Sequence, residues 1–211
     1  FKKAEEANIG EEIVATEDKE IMEDVKKNGG QAIMTDNKHK TGTDRIFEAL
    51  QKINVSNIEL VMNLQGDEPL IDINDIRYLN SQMIKFRSKL GTLASKISNK
   101  ELYENQNIVK VITKEDLNNL NFPEAKNFMR KVSNKTQNIY HHLGVYCYQN
   151  EILKKIISLN QSSNEIKNNL EQLRALDNNI NINVALAKSC TIGVDTEEDF
   201  VAIKKIMEYK S

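Results

Sequence analysis

Asp67 and Glu68 are adjacent carboxylates held between Gly66 and Pro69, inside the stretch Asn63-Leu64-Gln65-Gly66-Asp67-Glu68-Pro69-Leu70. Before them, Glu59-Leu60-Val61-Met62 reads as a short strand; after them, Ile71-Asp72-Ile73-Asn74-Asp75-Ile76 opens a helical pattern. The pair therefore sits at the carboxyl end of a strand, where open α/β sheets place their ligands. Hard oxygen donors at that position suit a hard cation that carries phosphate oxygens.

Three further groups carry chemistry. His39-Lys40-Thr41-Gly42-Thr43-Asp44-Arg45 precedes a helix bearing Ile46, Phe47, Leu50 and Ile53. Thr43 is the expected N-cap, and a glycine-containing turn at a helix N-terminus is a natural anion site. Tyr140–Tyr148 is a β-prone run with Leu143, Val145 and Cys147 on one face and His142, Gly144, Tyr146 and Tyr148 on the other. That second face either packs as structure or lines a pocket for a hydroxylated ligand. His141 points the opposite way, which speaks against a His–His metal site. Asp195 stands just before a helix whose start, Thr196 to Asp199, fits a capping box.

The elements that must position these groups follow from periodicity and breakers. Strands are expected at Glu11–Thr16, Ala32–Met34, Thr92–Ile97, Ile108–Ile112 and Asn181–Leu186, with an edge strand at Phe128–Val132. Helices are expected around Ile21, Met22 and Val25, closed by Asn28-Gly29-Gly30, and around Ile73 to Phe86. Further helices are expected through Ile166, Leu170, Leu173 and Leu176, and through Phe200 to Met207. The first half reads β-α-β-α-β-α-β. That pattern predicts an α/β fold, a three-layer Rossmann-like architecture with a mixed, mostly parallel central sheet. All 211 residues form one domain in this reading.

Composition narrows the partners. A net charge of −2 leaves no electrostatic footprint for nucleic acid or a membrane surface. There is no apolar run of about 18 residues for a membrane span, and no signal-peptide core at Phe1–Ala7. Cys147 and Cys190 match no metal or redox spacing and are expected as free thiols in a reducing cytosol.

Taken together, these blocks resemble the 3-deoxy-manno-octulosonate (Kdo) cytidylyltransferases. The matching stretches are Ile13–Asp18, His39–Arg45, Asn63–Pro69, Asn107–Val111, His142–Tyr146, Leu170–Leu176 and Val194–Asp199, in the family's order and over nearly the whole chain. The resemblance implies that CTP and Kdo give CMP-Kdo and pyrophosphate with Mg2+, for lipopolysaccharide, in a cytoplasmic homodimer. It implies Asp67 and Asp195 as metal-binding catalytic residues and Gln65 at the sugar. Arg45 would lie near the sugar and cytidine end, and Thr41-Gly42-Thr43 would help hold the nucleotide. Arg130 would pair with the Kdo carboxylate or phosphates. His142, Tyr146, Glu171 and Gln172 would read Kdo hydroxyls. A dimerisation and sugar-binding extension is expected around 115–180, with the subunit contact sought near Tyr140–Tyr148.

The chain also departs from the family pattern. Thr41 replaces the more common Ser, and Phe128-Met129-Arg130-Lys131-Val132 replaces the usual motif around the arginine. The family's opening strand and its Arg- and Lys-bearing phosphate loop have no counterpart here. An isolated chain of these residues is accordingly expected to bind CTP poorly and turn over little. The alternatives are a cytidylyltransferase for another acidic sugar, such as an amino-Kdo or a sialic-acid-like sugar, or an inactive remnant that acts as a binding module.

Overall fold

In the computed structural model, residues 1–53, 55, 57–97, 103–132, 136–188, 193–194 and 196–208 are described. The elements run α1 (Lys2–Ala7), β1 (Val14–Thr16), α2 (Lys19–Lys27), β2 (Ala32–Met34), α3 (Gly42–Lys52), β3 (Leu60–Asn63), α4 (Ile73–Phe86) and β4 (Leu90–Lys96). They continue with β5 (Lys110–Thr113), β6 (Ala125–Met129), β7 (Ile139–Gln149), α5 (Asn150–Ser158), α6 (Ser163–Asn168), α7 (Leu173–Asp177), β8 (Asn183–Leu186) and α8 (Glu197–Glu208).

The main sheet is built on β7. One edge pairs with β4 along its length, and the other takes β5 at its start and β3 at its end. β8 extends the sheet beyond β4, and β6 extends it beyond β5, while β1 and β2 form a separate parallel pair. The expectation of a mostly parallel sheet needs correction: the β7 and β5–β6 pairings are antiparallel, and β4–β8 is parallel. The physical reason is two reversed strands. β3, β4, β5 and β8 share a direction, but β7 in the middle of the sheet and β6 beside β5 run against them, so each ladder they make with these strands is antiparallel.

The period-two pattern of β7 divides the core. Leu143, Val145 and Cys147 join Ile76, Leu79, Met83 and Ala7 under α1 and α4. Tyr140, Tyr146 and Tyr148 join Leu153, Ile156, Leu170 and Leu173, with Ile46, Phe47 and Leu50 of α3 packed alongside. Helices thus cover both faces, which gives the three-layer Rossmann-like arrangement. Cys147 is buried as a free thiol, and burial pushes its pKa up to about 12. Cys190 lies outside the described residues.

Local signals set most boundaries. Asp18 caps α2 through Glu20 N–H at 2.7 Å, and Gly29 at φ 84° provides the left-handed turn that ends it. Thr196 and Asp199 exchange backbone-to-side-chain bonds at 3.0 and 3.1 Å, the capping box expected at α8. The helix expected through Ile166 to Leu176 is instead two, α6 and α7. Asn169 at φ 51° ends the first, and its own capping box at Ser162 and Glu165 starts it.

Candidate active site

Thr41, not Thr43, caps α3. Its Oγ1 accepts the Asp44 N–H at 3.2 Å and donates to Asp44 Oδ2 at 2.9 Å. This frees Thr43, which is buried and meets the Tyr148 hydroxyl at 3.3 Å. The anion at this helix N-terminus belongs to the protein itself. The Glu171 carboxyl faces the Thr41 and Thr43 hydroxyls and the Thr43 N–H, while its Oε2 is buried with no hydrogen-bond partner among the described residues. Burial raises the Glu171 pKa above the ordinary carboxylate value, against the lowering pull of those donors and of Arg174. A turn already facing a carboxylate suits hydroxyl groups better than a further anion.

The polar face of β7 meets the same place. The β4–β7 register jumps between Thr92↔Tyr146 and Leu93↔Leu143, which leaves Gly144 and Val145 as an irregularity in the ladder. Gln65, just past β3, lies over it: a β-carbon on Gly144 would stand 3.7 Å from Gln65 Cδ. Gly42 faces Gln65 too, with Nε2 at 3.9 Å from where its β-carbon would be, and Asn63 Nδ2 at 3.6 Å. Thus α3, β3 and β7 converge on Gln65. Asn63 is 4% exposed and its Nδ2 has no hydrogen-bond partner among the described residues. Sequence reading passed over it, although it heads the octapeptide.

Thr92 stitches the irregularity. Its hydroxyl donates to the Val145 carbonyl at 2.7 Å, so it accepts from His142 Nε2 at 3.0 Å, which sets the tautomer with Nδ1 as the lone-pair nitrogen. His142 is buried against Phe128 edge-on at 5.0 Å and Tyr146 at 5.4 Å, and Tyr146 touches Tyr148 at 5.9 Å. Burial first, then His141, hold the His142 pKa down to about 3, so the ring is neutral. The tyrosines are likewise neutral, their pKa values raised by burial and by Glu171.

Behind Glu171 stands a buried ion pair. Arg174 grips Glu165 with two bonds, Nε to Oε2 at 2.9 Å and Nη2 to Oε1 at 2.6 Å, and its Nη1 lies 3.8 Å from Asp44 Oδ1. Both residues are at most 4% exposed. Gln161 and the Ser162 N–H complete the Glu165 carboxylate. Breaking such a pair from one side costs roughly 3–5 kcal/mol. Gln172, buried at the start of α7, sits between Glu171 and this pair in sequence.

The other expected residues are placed as follows. The Val194 N–H donates to the Asp67 carbonyl at 2.8 Å, and Gly193 packs against Asp67 and Glu68. The chain segment leading to Asp195 therefore lies on the Asp67 turn; Asp195 itself lies outside the described residues. Arg45 turns its guanidinium toward Thr35 at 2.7 Å and Glu17, at the ends of β1 and β2. Arg130 donates to the Asn107 carbonyl at 2.8 Å, and its own carbonyl accepts from the fully buried Lys110 Nζ at 3.0 Å. Among the described residues no hydrogen bond or ion pair joins either arginine to Gln65 or Glu171. Among the described residues no group of three His, Cys, Asp or Glu side chains is arranged for a metal. A separate cleft of about 260 Å³ at the start of α4 is lined by Asn74, Asp75, Tyr78, Asn119, Leu186 and Lys188, none of them expected site residues.

Comparison with known proteins adds to this geometry. A family model described as cytidylyltransferase matches residues 1–182. The 3-deoxy-manno-octulosonate cytidylyltransferase of Thermodesulfovibrio yellowstonii is 40% identical, over 94% of this chain and 82% of that protein. The enzyme of the same name from Bartonella tribocorum is 36% identical over 97% and 84%. A solved structure of CMP:2-keto-3-deoxy-manno-octonic acid synthetase complexed with CTP superposes with a TM-score of 0.87 at 30% identity, covering 100% of this chain and 86% of that one. UDP-glucose pyrophosphorylase complexed with UDP-glucose, at 16% identity and TM-score 0.68, shares the fold.

Proposed function

Because the chain belongs to the 3-deoxy-manno-octulosonate cytidylyltransferase family, we propose that the residues converging on Gln65 and Glu171 orient Kdo while Asp67 and Asp195 serve the triphosphate. The reaction is CTP-dependent activation of Kdo to CMP-Kdo. The Kdo anomeric oxygen forms a bond to the α-phosphorus of CTP, the bond from that phosphorus to its bridge toward the β-phosphate breaks, and pyrophosphate leaves. The hydroxyl proton passes to solvent. Little covalent protein chemistry is required, so orientation and charge placement carry the rate.

The observation that carries this reading is the seat of Gln65. Its amide is the point where the α3 turn, the end of β3 and the irregular stretch of β7 come together. One amide there offers both donors and an acceptor to a polyol. Glu171 accepts from sugar hydroxyls through its unpartnered Oε2, and Gln172, His142 and Tyr146 shape the same wall. Thr41, Gly42 and Thr43 form the floor between sugar and nucleotide. Arg45 and Arg130 remain proposed contacts to phosphate or carboxylate, each needing to leave its present partners to make them.

A divalent metal, Mg2+, fits the Asp67 turn by donor chemistry. The Val194 N–H on the Asp67 carbonyl brings the stretch that leads to Asp195 onto the Asp67 turn, and carboxylate oxygens are hard donors of the kind this ion takes. When bound, the ion neutralises phosphate charge and acidifies the attacking hydroxyl. The protein is further proposed to act in the cytoplasm, where CTP is made, as a homodimer supplying lipopolysaccharide synthesis. No helix among the described residues is long and apolar enough to cross a membrane.

Phosphorus NMR tests this reading. With CTP, Kdo and Mg2+ present, the triphosphate signals give way to one phosphodiester and free pyrophosphate in equal amounts. A triphosphate that stays intact, or one cleaved equally well without Kdo, contradicts it.

A further inference from the structure

We infer that Arg174 is a positioning residue for the sugar: anchored by Glu165 and reaching Asp44, it keeps the Glu171 carboxylate against the Thr41–Thr43 turn and supplies its counter-charge. The inference rests on the reading of Glu171 as a sugar contact. Its geometry is independent of that reading.

Arg174 stands where three carboxylates meet. Glu165 takes the guanidinium edge in two bonds at 2.9 and 2.6 Å, which fixes the plane of the fork. Asp44 stands 3.8 Å from the remaining nitrogen and passes the link on, since its other oxygen accepts the Thr41 hydroxyl at 2.9 Å. Glu171 is tied to Arg174 through the backbone, with the Arg174 N–H donating to the Glu171 carbonyl at 3.1 Å. Arg174, three residues along the chain from Glu171, thus joins Glu165 on α6 to Asp44 and, through it, to Thr41 of the α3 turn. Glu165 takes two guanidinium nitrogens, and the third reaches toward Asp44, whose other oxygen accepts from Thr41.

The charges around Glu171 explain why a cation matters there. Arg174 is on its own side, Tyr146 and Tyr148 face it from β7, Thr41 and Thr43 face it from α3, and Asp44 stands beyond Arg174. Arg174 is the charged group of this set that favours the ionised carboxyl, and the threonine donors favour it too; burial opposes them. Losing Arg174 therefore favours the protonated acid, which offers the sugar a donor where an acceptor stood.

The test compares the wild type with Arg174→Gln, Arg174→Lys and the double variant Glu165→Gln/Arg174→Met. The double variant removes the buried charges together and so avoids the destabilising effect of an uncompensated buried carboxylate. Carbon-13 carboxyl NMR of glutamate-labelled protein, with Glu171→Gln to assign the signal, follows the Glu171 titration without any substrate. In Arg174→Gln and in the double variant, Glu171 titrates at higher pH, and the acid limb of kcat/KM for Kdo moves up with it. KM for Kdo rises about 10-fold, with KM for CTP changed less than about 3-fold. Arg174→Lys returns the titration toward the wild-type position. Folded variants in which the Glu171 titration does not move overturn the inference. A titration that moves while Kdo kinetics do not overturns the sugar reading of Glu171 and leaves the Arg174–Glu171 link standing.

Discussion

The hydroxyls of Thr43 and Tyr148 meet at 3.3 Å, 105 positions apart, and join the first turn of α3 to the central strand of the sheet. Both side chains are buried. Tyr148→Phe removes one oxygen without changing ring packing, so Thr43 loses its cross-element partner. The expected cost is about 1 kcal/mol of unfolding free energy, read in urea melts, together with a raised KM for Kdo because the floor beneath Glu171 loosens. Unchanged stability and unchanged kinetics would show that the contact positions nothing.

In the proposed reading Asp67 serves the metal and not the sugar. Asp67→Asn keeps the shape of the turn and its carbonyl bond to Val194. It is expected to lower kcat by about 100-fold or more and to raise the Mg2+ concentration for half-maximal rate, with KM for Kdo nearly unchanged. A variant that loses Kdo affinity but keeps its Mg2+ dependence would reassign the residue.

Gln172 is buried at the start of α7, beside Glu171. Gln172→Ala should raise KM for Kdo well beyond KM for CTP in steady-state assays. The opposite split would move the sugar away from this wall.

Stability should fall on mild acidification. Burial first, then neighbouring Lys110 or His141, hold His141 and His142 at about 4 and about 3 in the folded state, below the ordinary value of 6.5. The unfolded chain therefore binds more protons below pH 6.5, and stability present above that pH is lost as pH falls toward the folded values. Glu171, with its raised pKa, contributes in the opposite sense. Between pH 7.5 and 5.0 the loss is at most about 2 kcal/mol per histidine. Urea melts at the two pH values measure it, and equal stability at both would contradict the neutral, buried placement of the rings.

Much of this was legible because side-chain period speaks to faces. The alternation through Leu143, Val145 and Cys147 reports which face of β7 looks into which core, and the structure follows it. Period says nothing about strand direction, so the reversal of β7 and its antiparallel ladders stayed hidden. Thr43 was the expected cap of α3, but Thr41 takes that role while Thr43 meets Tyr148, a partner far along the chain that local sequence does not reveal. Helix α5 was missed because it leaves β7 at Gln149 without a side-chain cap or a breaker to mark the change. Asn63 heads a motif whose carboxylates drew the chemistry and Glu165 stands in no motif; only the fold sets one against Gly42 and the other beneath Arg174.

Competition between sugars tests whether this chain activates Kdo with CTP through the site around Gln65. The protein, expressed from its full reading frame, is given CTP and Mg2+ with Kdo and a sialic acid together, then UTP in place of CTP, and each nucleotide sugar is quantified. CMP-Kdo is the expected product, favoured over the competing sugar by about 100-fold or more, because a site built of hydrogen-bonding groups rejects a ligand that leaves them unpaired. Gln65→Ala is expected to erode this preference. Equal use of both sugars, or a preference that survives Gln65→Ala intact, would contradict this reading.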